Sequence, residues 1–215
     1  MLLNKLLKIL FVISLVLLIF LSNFKVLALN FNVYKEEFSK LNIYDKIPDA
    51  DEHALNLINY YNNKEGLSNF FNEQEKLHLQ DVKYLVNLFF IIFYITLILS
   101  LIIFIYFIYK KDSSLILNSI LISSIIIILL QGLFFISNFS SLFIKFHEIS
   151  FNNDLWLFNP NANIVNLFPE QFFYDIMLKI MVNSLVTSLI LIILTLILKK
   201  FIVNKRFLNK RKFQE

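Results

Sequence analysis

LVNLFFIIFYITLILSLIIFIYFIY, residues 85–109, contains neither a charged side chain nor a proline. A helix needs about 20 mostly apolar residues to cross about 30 Å of bilayer hydrocarbon. Three further stretches, at about residues 6–29, 115–136 and 177–198, meet the same requirement. Because 58% of the chain is hydrophobic and the apolar residues are concentrated in these runs, we predict four transmembrane helices.

The predicted fold class is all-α. We expect a four-helix transmembrane bundle with two extracytoplasmic loops, in a single integral membrane domain covering residues 1–215. The loops are about residues 30–84 and 137–176. The first loop is predicted to be partly helical, because apolar residues recur at helical spacing between His53 and Tyr61.

The first apolar stretch has some features of a secretory signal peptide, since lysines precede it. Its apolar run is long for a signal peptide, and Lys25 interrupts it near the place where cleavage would occur. Val26-Leu27-Ala28 matches the small-residue cleavage pattern poorly. We therefore predict that this helix is retained.

Basic residues are concentrated on one side of the predicted topology. The N-terminus, the turn at Lys110–Asp112 and the basic tail at 199–215 together have a charge of +9, whereas the other segments have a charge of −5. The positive-inside rule then places both termini in the cytoplasm and both loops outside. We expect the tail to lie against anionic lipid. No nucleic-acid partner is expected, because no nucleic-acid-binding fold or aromatic platform accompanies the tail.

The composition excludes several kinds of chemistry. The chain has no cysteine, which rules out disulfides, thiolate nucleophiles, Cys-ligated zinc and iron–sulfur clusters. Its two glycines are too few for a phosphate loop or a dinucleotide fingerprint. The centres of the predicted spans contain no ionisable residue, which argues against ion or proton transport. We expect no cofactor.

The end of the first predicted loop places His78 among carboxylates. Asn72 and Glu75 have the spacing of a helical capping box, so we predict a helix that starts there and continues into the second span. Glu75 lies one turn before His78, and Asp81 lies one turn after it. A neighbouring carboxylate can fix the tautomer of a histidine and raise its basicity. His78, oriented by Asp81 or Glu75, is therefore a candidate general base.

The second predicted loop contains His147, close after the third span. Glu148 and Asp154 are its candidate carboxylate partners. Trp156, the single tryptophan, is expected at interfacial depth. Glu170 suits the electropositive first turn of the last helix. Because the spans return to the same side, we expect them to bring His78 near His147.

Other interpretations of these residues stay open at this point. A histidine in a loop is commonly only solvated, and nothing around His53 resembles a site. No metal site is predicted, because no HxxxH or HExxH spacing is present. The residues alone are compatible with a histidine-dependent enzyme, a non-catalytic envelope scaffold or accessory membrane protein, and a metal-dependent membrane hydrolase.

Two short motifs resemble those of a known family. EKLHLQDVK at 75–83 resembles the ExxHxxDVK signature of the lipoprotein intramolecular transacylase (Lit) family, which are four-span bacterial membrane proteins. FHEISF at 146–151, followed by Trp156 and by FPE at 168–170, is similar to its second signature. The two signatures stand in the same order, each outside the expected span.

The resemblance implies an acyltransferase of the bacterial cell membrane. Its substrate would be a lipoprotein with a diacylglyceryl group on its N-terminal cysteine. The enzyme would move the sn-2 acyl chain to the α-amino group of that cysteine, which gives an N-acyl S-monoacylglyceryl (lyso) lipoprotein. His78 and His147 would be the catalytic pair. We expect His78 to act as the base and His147 to donate a hydrogen bond to the oxyanion or act as the acid.

Overall fold

A computed structural model describes residues 2–212 of the chain, with side chains described from Leu3 to Ile202. The basic tail predicted at 199–215 therefore lies largely beyond the described side chains, and residues 213–215 lie outside the described residues. Every regular element in the described part is helical, so the predicted all-α class is confirmed. The elements are α1 (Leu2–Leu27), α2 (Phe31–Lys40), a 3₁₀ turn (Ile43–Asp45), α3 (Ala50–Tyr61), α4 (Glu73–Tyr109), α5 (Ser113–Ile136), α6 (Phe139–Ser150), α7 (Asn163–Leu167) and α8 (Glu170–Lys212).

Four helices are long and apolar enough to cross a membrane. They are the segments Leu3–Leu27, Glu73–Tyr109, Ser113–Ile136 and Glu170–Ile202. Two of them begin at least six residues before the predicted spans, at Glu73 and Glu170, because the polar turns that precede the apolar residues are also helical. By length and composition, the described chain therefore contains four candidate membrane spans.

Helix α4 has a charged part and an apolar part. Its 37 residues extend over about 55 Å, which is well beyond the hydrocarbon thickness of a bilayer. The segment at 73–84 contains five charged side chains, whereas the segment at 85–109 contains none. We therefore treat 85–109 as the membrane-spanning part of α4 and 73–84 as lying outside it.

The chain divides into two compact units, and each is described by itself. The first unit comprises Met1–Ser22, Phe93–Leu133 and Val182–Glu215, and the second comprises Asn23–Ile92 and Phe134–Met181.

The first unit is held together by ring packing and by small hydroxyl side chains. Phe11 and Phe107 are both buried, and their rings meet edge to face with centroids 6.1 Å apart. The Ser100 hydroxyl donates a hydrogen bond to the Ser14 Oγ over 2.9 Å. Such contacts suit a bundle in lipid, where close packing and interhelical hydrogen bonds take the place of the hydrophobic effect.

The second unit has an aromatic core. Phe38 of α2 has no exposed surface, and its ring packs against those of Phe168 and Phe172 at 5.8 and 5.9 Å. Tyr34 adds edge-to-face contacts with the same two rings, at 5.9 and 5.1 Å. Each buried aromatic side chain contributes roughly 1.5–3 kcal/mol of hydrophobic stabilisation. The segments predicted as loops thus form a folded unit.

Local caps explain where the helices of the second unit begin. The Asn72 side chain accepts a hydrogen bond from the Glu75 N–H, and the Glu75 carboxylate accepts one from the Asn72 N–H, which confirms the predicted capping box. The second loop also contains α6, a helix that we did not predict there. Asn138 caps it by accepting a hydrogen bond from the Ser141 N–H at 2.9 Å.

Candidate active site

The structure brings the two predicted histidines together. His78 lies in the second turn of α4, and His147 lies in the last turn of α6. Their ring centroids are 6.0 Å apart, with an angle of 23° between the ring planes. The two side chains are 5% and 9% exposed, so the pair is almost completely enclosed.

His78 is enclosed by aromatic rings, because Phe151 and Phe158 meet its imidazole edge to face at 5.1 and 5.3 Å. Burial and, to a smaller extent, the neighbouring His147 together lower the pKa of His78 to about 4. The negative charge of Asp81 opposes this shift. His78 is therefore a neutral imidazole at physiological pH.

His147 is held by its own helix. Its Nδ1 lies 2.7 Å from the Phe143 carbonyl oxygen, one turn earlier, and the Phe143 ring contacts the imidazole at 4.4 Å. Trp156 covers the imidazole at a centroid distance of 5.1 Å. Burial lowers the pKa of His147, while the hydrogen bond to the carbonyl opposes the shift. This histidine is also neutral near pH 7.

The surroundings indicate which ring nitrogens hold the protons. A carbonyl oxygen only accepts, so the neutral His147 holds its proton on Nδ1 and has a lone pair on Nε2. The Nδ1 of His78 is buried, with no hydrogen-bond partner among the described residues. A buried N–H group without a hydrogen-bond partner is rarer than a buried acceptor without one. The unpartnered Nδ1 of His78 is therefore better described as the acceptor nitrogen, which puts the proton on Nε2. The pair then offers one basic nitrogen and one N–H donor.

Glu75, expected to orient His78, has other partners. It is fully buried, and its Oε2 accepts a hydrogen bond from the Asn72 N–H at 2.7 Å. Its Oε1 accepts one from the Ile164 N–H of α7 at 2.9 Å. Neither of these bonds goes to His78. Glu75 therefore fixes the start of α4 to α7 and acts on the histidine only by positioning the helix.

Asp81, the other expected partner of His78, influences it through its charge. The hydrogen bond described for its carboxylate comes from the Asn153 side-chain amide, at 3.0 Å. This contact connects α4 to the segment that follows α6.

Trp156 lies in the same segment and contacts His147 directly, whereas the sequence indicated only an interfacial position for it.

The remaining predicted carboxylates are engaged elsewhere. Glu148 is exposed and pairs with Lys145 at 2.8 Å on the surface of α6. Asp154 is exposed, and its backbone carbonyl accepts a hydrogen bond from the Leu157 N–H. Glu170 accepts a short hydrogen bond from the Ser140 hydroxyl. None of these described contacts involves His147.

Several residues that surround the histidines were not singled out from the sequence. Phe143 and Phe158 line the imidazoles, and only Phe143 had a local signal, since it lies four residues before His147 on the same helix. Gln74 donates from its amide nitrogen to the carbonyls of Leu155 and Leu157, at 3.1 and 3.2 Å. It fixes the segment from which Trp156 reaches His147.

The third histidine is in a different environment. His53 stacks on Phe70 at 3.7 Å, and its Nε2 lies 3.3 Å from the Asp49 carboxylate. Among the described residues, no group of three or more His, Asp or Glu side chains is arranged to hold a metal ion. The histidine pair is thus the arrangement in this part of the chain that is best suited to acid–base chemistry.

Comparisons with known proteins agree on one family. The family model described as "Lipoprotein intramolecular transacylase Lit" matches residues 9–173. The solved structure of the membrane-integral Lit from Bacillus cereus is 25% identical, with a TM-score of 0.80 over 96% of this chain and 98% of that chain. Structures of two histidine variants of that protein are 24% identical, with TM-scores of 0.74 and 0.73, over 96% of this chain and 95% and 96% of theirs. No curated protein matches.

Proposed function

The chain belongs to the lipoprotein intramolecular transacylase (Lit) family, and from this premise we propose that His147 and His78 perform its acyl transfer as base and hydrogen-bond donor. It is a multi-pass membrane acyltransferase that acts on lipoproteins. The alternative of a non-catalytic scaffold is not favoured. The single observation on which the proposal rests is the enclosed histidine pair, with ring centroids 6.0 Å apart.

The proposed reaction is an internal rearrangement of the substrate. The α-amino nitrogen of the lipidated cysteine forms a bond to the carbonyl carbon of the sn-2 ester. The bond from that carbon to the glyceryl oxygen breaks. One proton leaves the amine and one arrives on the glyceryl oxygen, so the mass of the lipoprotein does not change. The nucleophile belongs to the substrate, so the reaction requires no serine or cysteine nucleophile from the enzyme, and the chain contains no cysteine.

His147 is the proposed base. An α-amino group titrates at about 8 and is mostly protonated near pH 7, so it must lose a proton before it attacks an ester. That first proton goes to solvent. The hydrogen bond to the Phe143 carbonyl leaves the Nε2 lone pair of His147 free to take the second proton, which the nitrogen loses as it attacks the ester and becomes an amide. The imidazolium then returns a proton to the glyceryl oxygen as it leaves. The roles are thus opposite to those expected from the sequence, where His78 was the candidate base.

His78 is the proposed donor to the oxyanion. Its low pKa keeps it neutral, and a neutral imidazole with a proton on Nε2 can donate to an oxygen on which negative charge develops. A hydrogen-bond donor stabilises an oxyanion more strongly in a water-poor aromatic site than in water, because solvent does not screen the interaction.

The aromatic walls contribute by excluding water and by restricting the substrate. Phe151 contacts both imidazoles, at 5.1 Å from His78 and 5.6 Å from His147, so it separates the pair from solvent.

The reacting amine and ester are parts of one molecule. Holding them in a reactive geometry therefore supplies a large part of the rate, on the order of several kcal/mol.

We place the site at the outer face of a bacterial cell membrane. The positive-inside distribution of charge supports this orientation, because the cationic segments lie at both termini and in the turn between α4 and α5. The substrate would then be a diacylglyceryl-modified lipoprotein anchored in the outer leaflet. Its ester lies near the headgroup level, where residues 73–84 of α4 begin the entry into the bilayer.

Mass spectrometry of N-terminal lipopeptides tests the proposal. The wild-type protein, expressed in a host that makes diacyl lipoproteins, is expected to convert the free amine to an N-acyl amide without a change in mass. His147→Gln is expected to lower the conversion rate by about a thousandfold, and His78→Gln by about a hundredfold or more. His53→Gln is the matched control and should keep wild-type activity. Unchanged conversion by His147→Gln would refute the assignment of the base.

A further inference from the structure

A groove lies beside the histidine pair in the second unit. It has a volume of about 340 Å³, which is within the range of small-molecule sites. Its lining is polar around Asp81 and Asn153 and aliphatic at Leu85 and Leu88, which lie about one and two turns further along α4 than Asp81. Its lining residues are Asp81, Tyr84, Leu85, Leu88, Ser150, Phe151, Asn152 and Asn153.

The groove is connected to the histidines in two ways. Phe151 forms part of its wall and contacts both imidazoles. Asp81, Leu85 and Leu88 follow His78 at intervals of three, seven and ten residues, so they lie on the same side of α4. The groove therefore starts beside the reacting atoms and continues along α4 into its membrane-spanning part.

We propose that this groove binds the acyl chain that is transferred, and that Leu88 limits its length. The inference rests on the proposed function. The ester carbonyl must lie between the two histidines, so the chain attached to it has to leave from there. The polar end, with Asp81 and Asn153, suits the ester and ammonium end of such a substrate, and the leucines suit its hydrocarbon.

A second groove in the same unit lacks these properties. It has a volume of about 250 Å³ and is lined by Asn138, Phe139, Ser140, Glu170, Gln171 and Tyr174. None of these residues is an aliphatic side chain, and no ring contact is described between its aromatic residues and either His78 or His147. The chemistry of a hydrocarbon chain therefore matches the first groove.

Chain length offers a direct test, because α4 rises about 15 Å between His78 and Leu88. An extended octanoyl chain is shorter than this distance, and a palmitoyl chain is longer. Leu88→Trp should therefore obstruct the palmitoyl chain and spare the octanoyl chain. We expect the ratio of kcat/KM for sn-2 palmitoyl and sn-2 octanoyl lipopeptides to fall about tenfold relative to the wild-type protein.

Ile91→Trp is the matched control. Ile91 lies three residues further along α4 and is 56% exposed, close to the 48% of Leu88, but it does not line the groove. The ratio of kcat/KM for palmitoyl and octanoyl lipopeptides in Ile91→Trp should equal that of the wild-type protein. A wild-type ratio in Leu88→Trp, or an equal fall in both variants, would overturn the inference. Failure of the wild-type protein to transfer either chain would instead contradict the proposed function itself.

Photolabelling tests the same inference without any substitution. A lipopeptide with a diazirine near the end of its sn-2 chain is incubated with the full wild-type chain in detergent micelles and irradiated. The label is expected on the peptide containing Tyr84–Leu88, which contributes the aliphatic side chains of the groove. Labelling that is confined to the second groove, around Gln171–Tyr174, would overturn the assignment.

Discussion

The imidazole of His78 occupies a position where a positive charge is poorly tolerated. It is 5% exposed, and two phenylalanine rings and a second histidine lie around it. Desolvation disfavours the charged form of a basic group, and the neighbouring imidazole adds repulsion when both are protonated. The neutral state that the proposed mechanism requires is thus a consequence of packing.

This packing predicts a pH dependence of stability. The pKa of His78 is about 4 in the folded chain, against 6.5 for a free histidine, so the unfolded chain takes up the proton first as pH falls. The contribution of His78 to the free energy of unfolding is therefore complete above about pH 6.5. It decreases as pH falls, by up to about 3 kcal/mol at pH 4.

Nuclear magnetic resonance of isotope-labelled histidines in micelles measures the titration, and His78→Gln assigns the signal. Thermal unfolding at pH 7 and pH 5 provides the second measurement. The wild-type protein should lose more stability across this interval than His78→Gln does. A His78 signal that titrates near pH 6.5 would contradict the prediction.

Local spacing was sufficient to predict how the candidate residues at the start of α4 lie relative to one another. Asn72, Glu75 and His78 lie within two turns of one helix, and their sequence separation fixes their relative positions. The partners of these residues could not be predicted in the same way. The Ile164 N–H that binds Glu75 is 89 positions away, and the Trp156 that covers His147 reaches it only through the folding of an irregular segment.

At the scale of elements, two lysines connect α2 and α8. Lys40 of α2 reaches the Asp175 carboxylate at 2.8 Å, and Lys179 of α8 reaches Glu36 and Glu37 at 2.9 Å each. Glu37 and Asp175 are 2% and 4% exposed, so both are buried carboxylates that depend on these partners. This arrangement fixes the folded first loop to the start of the last helix.

Lys179→Met is expected to destabilise the protein, because it leaves Glu37 buried without its nearest cation. Lys40 remains 3.7 Å from Glu37 and compensates in part, so we expect a loss of about 2 kcal/mol, seen as a decrease of several degrees in Tm. Lys35→Met is the control. Its partner Asp51 is 3.6 Å away and both side chains are substantially exposed, so Tm should barely change. Equal Tm values for the two variants would contradict this role of Lys179.

The helices themselves were predictable to different degrees. The apolar runs that became the long helices extend over many turns, so their pattern is unmistakable. Helix α6 has only 12 residues, and its only side chains that are not exposed are Phe139, Phe143, His147 and Ser150. Its start depends on the Asn138 cap and its position depends on rings contributed by α8, such as Phe173 at 5.3 Å from Phe143. The sequence pattern therefore indicated an ordinary loop.

For the whole molecule, the distribution of charge determines the expected orientation. The segments at both termini and the turn after α4 have an excess of +9, and the other segments have an excess of −5. Such an asymmetry places the basic segments in the cytoplasm. The same rule predicts that the long first loop and the histidine pair are on the opposite side of the membrane.

Single cysteines can test this orientation, because the natural chain contains none and every label can be assigned to the introduced residue. Glu65 is exposed in the segment between α3 and α4, and Lys110 is exposed in the turn after α4. With a membrane-impermeant maleimide, Glu65→Cys should be labelled in intact cells. Lys110→Cys should be labelled only after lysis.

The orientation and the chemistry depend on each other. A mature lipoprotein is anchored by its acyl chains with its protein part outside, so its N-terminal amine is available only from that side. An active site at the level of residues 73–84 can meet this amine only if the first loop is also outside. Labelling of Lys110→Cys, but not Glu65→Cys, in intact cells would place His78 and His147 in the cytoplasm. That result would separate the histidine pair from the proposed substrate, even if both variants retain the fold.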